Sequence, residues 1–199
     1  MLYLLERDGL SEDVLKSLSY RTSLNKSLKG KLRTFNKIDL LNEALHIVDW
    51  YDLEKGDILD NVAIDYRIKS EQSIINKYYR YYPDRDTEKV FNDLLGFRSL
   101  CDSYDDIIAL QKMKYFKVVD MSKGKADDDG YRGVHLYFQI DHYHYPLEIQ
   151  YNTLYDRYLN DWLHDFVYKK KVMMTLLAGI CANSMKMVKS KTKMSSRRN

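Results

Sequence analysis

Residues 134–151, VHLYFQIDHYHYPLEIQY, decide the fold. Val134, Leu136 and Phe138, and again Leu147, Ile149 and Tyr151, put apolar side chains on every second position, the period of a strand with one buried face. The spacing predicts strands over Val134–Ile140 and Tyr145–Tyr151, with Asp141–His144 as the hairpin turn between them. Upstream, Leu94–Cys101 and Phe116–Met121 are apolar enough for two more strands. Amphipathic helical patterns come before them. One is capped by Ser11 and carries Val14, Leu15 and Leu18, and another runs from Ile38 to Trp50. After the turn signals Lys55, Gly56 and Asp57 comes a partly apolar stretch, Asn61–Ile64, and then a helix from Ser70 to Tyr82 ended by Pro83. Ser103 with Asp106 reads as a capping box before a helix over Ile107–Tyr115. From Thr153 to about Lys189 the pattern is helical again, with a break near Gly179. Helices, then strands, then helices predict an α+β fold, a sheet layered with helices.

A length of 199 residues, 45% of them apolar and 13% aromatic, suits one domain with a real core. It divides into a helical part over 1–60, a sheet core over 61–152, a helical part over 153–189 and a basic tail over 190–199. With two prolines, eight glycines and no internal repeat, no flexible linker is visible. Cys101 and Cys181 lie in apolar runs without zinc-ligand spacing, which argues against a disulfide framework. The longest apolar run, 172–182, is too short to span a bilayer, and no basic region precedes the first apolar run, so a cytoplasmic protein is expected. The net charge of +3 hides an asymmetry: residues 21–37 carry six basic residues and no acid, and residues 169–199 carry nine and no acid. Two such segments can form a polyanion-binding surface, or one of them a solvated tail.

Chemistry concentrates at four places. In YRIKSEQSIINKYYR, residues 66–80, Ser73, Lys77 and Arg80 share one helix face, with Arg67 and Lys69 just before the helix start. Cations beside a helix N-terminus suit a chain of phosphates, although a solvated basic face has the same pattern. Asp93 stands directly before a strand that carries Arg98, and Glu148 sits within an apolar strand, where it needs a partner or a metal. Two carboxylates on neighbouring strands can hold one Mg²⁺ against phosphates, while either alone reads as an ion-pair or turn residue. Gly130–Tyr131 at a strand entrance, with Arg132 and His135 beside it, can present a ring for base stacking.

The order and spacing of all four resemble the RelA/SpoT synthetase domain. The series is Arg67-x-Lys69, Ser73, Lys77, Arg80, then Asp93-x2-Gly96-x-Arg98, then Gly130-Tyr131-Arg132-x2-His135, then Glu148-x-Gln150, and the similarity spans about Asp65 to Tyr168. The resemblance implies a nucleotidyltransferase-like mixed β-sheet of about five strands flanked by helices. It implies ATP binding by Arg67 and Arg98 around the adenine and by Lys69, Ser73, Lys77 and Arg80 at the phosphates. Asp93 and Glu148 would bind Mg²⁺ and form the catalytic pair, Glu148 activating a ribose 3′-OH and Tyr131 stacking on the acceptor base. The implied reaction is pyrophosphate transfer from ATP with release of AMP. About 60 residues precede Arg67, too few for the family's hydrolase domain, and His164–Asp165 reads as a helix-surface pair.

Members of this size act either on GDP or GTP, as alarmone synthetases, or on the 3′-CCA end of tRNA, as toxins paired with an antitoxin protein. Asp127, Asp128 and Asp129 stand where alarmone synthetases carry a lysine-containing loop, and Tyr151-Asn152-Thr153 lacks the arginine that usually follows Glu-x-Gln. Lys26, Lys29, Lys31 and Arg33 offer phosphate contacts for a tRNA backbone, whereas Lys123, Lys125, Arg132, His135 and Gln150 would line the acceptor site with Tyr131. These departures favour tRNA over guanine nucleotides, which makes the expected chain a translation-inhibiting toxin. In that case an antitoxin protein is an expected partner, and a membrane or DNA is not. An inactive nucleotide- or RNA-binding module, or a regulatory protein sharing only the sheet, would not need both carboxylates and the full cationic series.

Overall fold

The computed structural model describes residues 3–125 and 129–168, which fall into two compact units, one ending at Asp156 and one beginning at Arg157. The first begins with α1 (Tyr3–Arg7) and α2 (Glu12–Ser17), whose N-terminus is capped by Ser11 Oγ accepting from the Val14 amide at 3.3 Å. Next comes α3 (Lys37–Glu54), capped by Asn36, whose Oδ1 accepts from the amides of Ile38 and Asp39. It runs one turn beyond the expected end because Tyr51 is buried and its hydroxyl donates to Leu18 O at 2.9 Å. The turn signals at 55–57 open a one-turn helix, α4 (Gly56–Leu59).

The strand β1 (Asp65–Ile68) is an element that the sequence reading did not anticipate, and α5 (Glu71–Tyr81) follows it with Ile74 and Tyr78 buried. A one-turn helix, α6 (Thr87–Val90), leads into β2 (Leu95–Leu100). Then α7 (Asp105–Ala109) is shorter than expected: Ser103 Oγ accepts from the Asp105 amide two residues on, and Tyr104 holds the cap position, so no Ser103–Asp106 capping box forms. The remaining strands are β3 (Phe116–Asp120), β4 (Val134–Phe138) and β5 (Leu147–Asn152), and α8 (Leu154–Leu163) starts just beyond.

The five strands form one mixed sheet in the order β1-β2-β5-β4-β3, parallel only between β2 and β5. The expected antiparallel hairpin forms, but its strands stop at Phe138 and resume at Leu147, so the connection is longer than Asp141–His144; within it Asp141 Oδ1 accepts from the Tyr143 amide at 2.7 Å. One face of the sheet carries Phe97, Ile149, Leu136, Leu147 and Phe138, all fully buried, in one cluster with Leu15, Leu40, Ile47 and Ile107 from the helices. Burying such side chains contributes roughly 1.5–3 kcal/mol each. Cys101 is a buried free thiol in the same cluster, and burial pushes it up to about 11.

Residues 21–33, which the sequence marks as basic, are held by backbone bonds. The Thr22 and Leu28 amides donate to Tyr143 O and His142 O, the Leu32 amide to Arg85 O and the Glu88 amide to Leu28 O, at 2.7–3.0 Å. The buried Glu43 of α3 adds an anchor, accepting from Thr22 Oγ1 and the Ser23 amide. In the second unit Arg157 pairs with Asp161 at 3.0 Å and the rings of Trp162 and Phe166 stack. There His164 and Asp165 form an exposed pair at 3.4 Å, as expected. The helix expected to reach Lys189, the break near Gly179 and the C-terminal basic segment lie outside the described residues.

Candidate functional site

The strand register explains why an acid stands inside an apolar strand. Arg67, Gly96, Glu148 and Tyr137 lie side by side across β1, β2, β5 and β4, and Asp65, Arg98, Gln150 and His135 form the next row. With a period of two, these side chains share the face opposite the core. Leu147, Ile149 and Tyr151 build the core while Glu148 and Gln150 face the open side.

Glu148 is 7% exposed and surrounded by donors. Tyr137 donates its hydroxyl to Oε1 at 2.9 Å, Gln150 Nε2 donates to Oε2 at 2.8 Å, and His135 Nδ1 lies 3.1 Å from Oε1. Burial by itself would raise the pKa of this carboxyl. The hydrogen bond and charge of His135, with the bonds from Gln150 and Tyr137, outweigh that and hold Glu148 down at about 2. Burial, with the adjacent Glu148 charge, pushes the Tyr137 hydroxyl well above its ordinary value. The other ring nitrogen of His135 meets the Tyr131 hydroxyl at 2.7 Å, so Tyr131, His135 and Glu148 form a continuous hydrogen-bonded chain.

Asp93 is placed by the joint between β1 and β2. The Lys69 amide donates to Leu94 O at 2.9 Å, which brings the Lys69 side chain beside the preceding residue, Asp93. Lys69 Nζ reaches Asp93 Oδ2 at 2.6 Å, and Lys77 Nζ reaches Asp93 Oδ1 at 2.9 Å and Asn92 Oδ1 at 3.0 Å. Lys69 is itself only 8% exposed. A buried ammonium needs such a partner, so Asp93 and the two lysines form one charged unit.

Two clefts meet at Asp93. Arg67, Asp93, Gly96, Arg98, Glu148 and Gln150 line the first. Lys69, Ser73, Asn76, Lys77, Arg80 and Asp93 line the second, of about 350 Å³. The helix-face grouping of Ser73, Lys77 and Arg80 is therefore as the spacing predicts. Arg67 is the exception: it sits on β1 and faces the first cleft instead of joining the lysines. Gly96 stands directly opposite Glu148, and a Cβ there would lie 3.6 Å from Glu148 Oε2, so its lack of a side chain keeps the carboxylate approachable.

Around Tyr131, Lys125 pairs with Asp129 at 2.8 Å and lies 4.7 Å over the Tyr131 ring, while Lys123 is exposed. Arg132 Nη1 donates to Tyr131 O, and Asn152 Nδ2 holds Arg132 O at 2.8 Å. Asp127 and Asp128 lie outside the described residues, so of the acidic run only Asp129 is placed. Lys26, Lys29, Lys31 and Arg33 are all exposed. Lys26 bonds Thr34 O and covers the Phe35 ring, and Arg33 pairs with Asp84 at 2.8 Å.

Tyr137 and Asn92 are not among the residues the sequence singles out, and His135 and Gln150, expected at the acceptor, both bond or face Glu148. A signal was present: reflecting the two strands about the middle of Asp141–His144 puts Tyr137 opposite Glu148 and His135 opposite Gln150. Among the described residues no three His, Cys, Asp or Glu side chains cluster as a self-sufficient metal cage. Asp93 and Glu148 line one cleft, and a pair of hard oxygen donors fits Mg²⁺, which completes its shell with phosphates and water.

The family described as a region found in RelA/SpoT proteins matches residues 66–173. No curated protein matches the chain at a significant level. Among solved structures, the small alarmone synthetase 1 from Bacillus subtilis is 23% identical, with 82% of this chain and 98% of that one covered and a TM-score of 0.39. The small alarmone synthetase 2 from the same organism is 19% identical, with 79% and 100% covered and a TM-score of 0.41. A GTP pyrophosphokinase family protein from Streptococcus pneumoniae is 20% identical, with 80% and 95% covered and a TM-score of 0.41. At such identities and scores the likenesses assign no residue role. No helix among the described residues is long and apolar enough to cross a membrane.

Proposed function

Since the chain belongs to the RelA/SpoT family, we propose that it is a cytoplasmic pyrophosphokinase, a single synthetase domain that moves the β,γ-pyrophosphate of ATP onto a ribose 3′-OH and releases AMP. The observation that carries this reading is the meeting of two clefts at Asp93, one rich in phosphate-matching cations and one containing Glu148. Arg67, cross-strand from Gly96 on β1, and Arg98, two residues along β2, line the same cleft and can hold a flat base between guanidinium planes. Lys69, Ser73, Lys77 and Arg80 then take the phosphates. Mg²⁺, when bound, would be held by Asp93 and Glu148 and would supply charge neutralisation at the phosphates.

Glu148 remains ionised through the neutral range and accepts a hydrogen bond from the incoming 3′-OH. A carboxylate of such low basicity orients the hydroxyl and takes its proton late. That suffices for phosphoryl transfer, whose loose transition state needs little early deprotonation. Tyr137, Gln150 and His135 fix its two oxygens, which turns binding into alignment for in-line attack on the β-phosphorus. Lys69 and Lys77 leave Asp93 for the phosphates as ATP enters, so cations already desolvated meet the charge that develops.

The favoured acceptor is the 3′-CCA end of tRNA, which makes the chain a translation-inhibiting toxin needing an antitoxin protein. Lys26, Lys29, Lys31 and Arg33 support it, exposed on a segment whose backbone is pinned in place. GDP or GTP is the second reading, favoured by Lys125 and Arg132 beside the Tyr131 ring. Incubating the protein with γ-³²P-labelled ATP, GDP, GTP and deacylated tRNA decides between them. Label on tRNA is expected, and label on guanine nucleotides alone rejects the favoured acceptor.

A further inference from the structure

A further cavity among the described residues is separate from the two clefts assigned to ATP. It measures about 500 Å³, within the usual range for a nucleotide-sized ligand, and lies across β5 from the ATP clefts. Lys117 and Tyr137 form its sheet wall, opposite each other on β3 and β4, and residues 85–92 close it with Arg85, Lys89 and Asn92. Two polar groups in its lining are linked by hydrogen bonds to the proposed reaction centre, one directly and one through a lysine. Tyr137 donates to Glu148, and Asn92 accepts from Lys77, which bonds Asp93.

Its charge is positive. Glu88 is a single carboxylate against Arg85, Lys89 and Lys117, and Lys89 is partly neutralised by Asp86 at 2.6 Å. Arg85 and Lys117 have no carboxylate partner among the described residues. Arg85 also joins the cavity to the basic segment: its carbonyl accepts from the Leu32 amide at 3.0 Å, and Lys31 forms a β-bridge with Asp86. The backbone of the basic segment therefore lies directly against Arg85, one of the residues lining the cavity.

We propose that this cavity receives the phosphate on the 5′ side of the acceptor ribose, and that Lys26, Lys29, Lys31 and Arg33 guide the preceding phosphates of an RNA strand into it. The spacing suits one nucleotide. With the base on Tyr131 beside His135 and the 3′-OH at Glu148, the 5′ phosphate falls near Tyr137, two residues or roughly 7 Å along β4. Arg85 and Lys117 then neutralise a phosphodiester where the acidic residue Asp129 offers nothing to it. This rests on the reading of a 3′-OH acceptor, with RNA as its source.

The test is binding, measured apart from turnover, by fluorescence anisotropy of a labelled RNA hairpin with a single-stranded CCA 3′ end. The Arg85→Gln/Lys117→Gln variant should bind it at least roughly tenfold more weakly. Its log–log salt slope should be shallower by about 0.7, the loss of one single-strand phosphate contact. Affinity for a non-hydrolysable ATP analogue should be unchanged. Lys117→Gln alone, an exposed position on the edge strand β3, should lose about half of the effect on the logarithmic scale and serves as the variant least able to disturb folding. Unchanged RNA affinity in both variants overturns the proposal, as does a loss for GDP with RNA bound as before. If the variants lose RNA binding but the unaltered protein pyrophosphorylates no acceptor, the transfer reading fails while the RNA path stands.

Discussion

Replacing Asp93 by asparagine separates the structural work of this residue from its chemical work. Asp93 neutralises Lys69 and Lys77 at 2.6 and 2.9 Å. The isosteric amide leaves two ammonium groups facing each other, one of them almost wholly buried. Removing one partner of a buried pair costs about 3–5 kcal/mol, and the lower end applies because Asp93 and Lys77 each keep about a fifth of their side chains in water. About 3 kcal/mol lowers the Tm of a chain of this size by roughly 6–12 °C. ATP without Mg²⁺ should restore much of that loss, since its phosphates replace the missing carboxylate, and by linkage it should bind the variant more tightly than the unaltered protein. Transfer in the presence of Mg²⁺ should fall by about a thousandfold or more. Thermal melts with and without ATP in EDTA, with product formation measured in parallel, check all three. An unchanged Tm together with intact transfer refutes the reasoning, because Asp93 would then neither compensate the lysines nor serve the reaction.

Three other perturbations have defined outcomes. Glu148 has a folded value of about 2 against an ordinary value of 4.5, so its charge stabilises the fold above about pH 4.5, and that contribution fades as pH falls toward 2. The urea stability difference between the unaltered protein and Glu148→Gln should shrink by about 2 kcal/mol between pH 6 and pH 3, and a constant difference would refute the assigned acidity. Tyr137→Phe removes one of the donors to Glu148 Oε1. It should lower kcat by about tenfold with KM for ATP unchanged, in steady-state rates; a rise in that KM alone would place Tyr137 in ATP binding. Tyr131→Ala should raise KM for the acceptor by roughly 5- to 150-fold through lost stacking and leave KM for ATP unchanged, so equal losses for both substrates would contradict its assignment to the acceptor.

The α+β class and the β4–β5 hairpin are legible in the sequence because alternation over Val134–Phe138 and Leu147–Tyr151 has a single physical cause, one buried face. The edge strand β1 is not, because three of its four residues are exposed and Asp65, Tyr66 and Arg67 carry no burial pattern to read. Helices α4 and α6 are single turns, too short for a helical period. The grouping of Ser73, Lys77 and Arg80 on one side of α5 follows from spacing alone, but the split of Arg67 from Lys69 depends on β1. The basic segment has the composition of a solvated loop, and what fixes it, backbone bonds to Tyr143, His142 and Arg85, leaves no mark on residue identity.

Pyrophosphate transfer requires that ATP be cleaved between its α- and β-phosphates. Anion-exchange analysis of a reaction containing Mg²⁺, ATP and both acceptor classes tests it directly. AMP should appear in equal amount to the pyrophosphorylated acceptor, and both should be absent with Glu148→Gln. Accumulation of ADP and phosphate in place of AMP, or product formation undiminished in the Glu148 variant, would contradict the account.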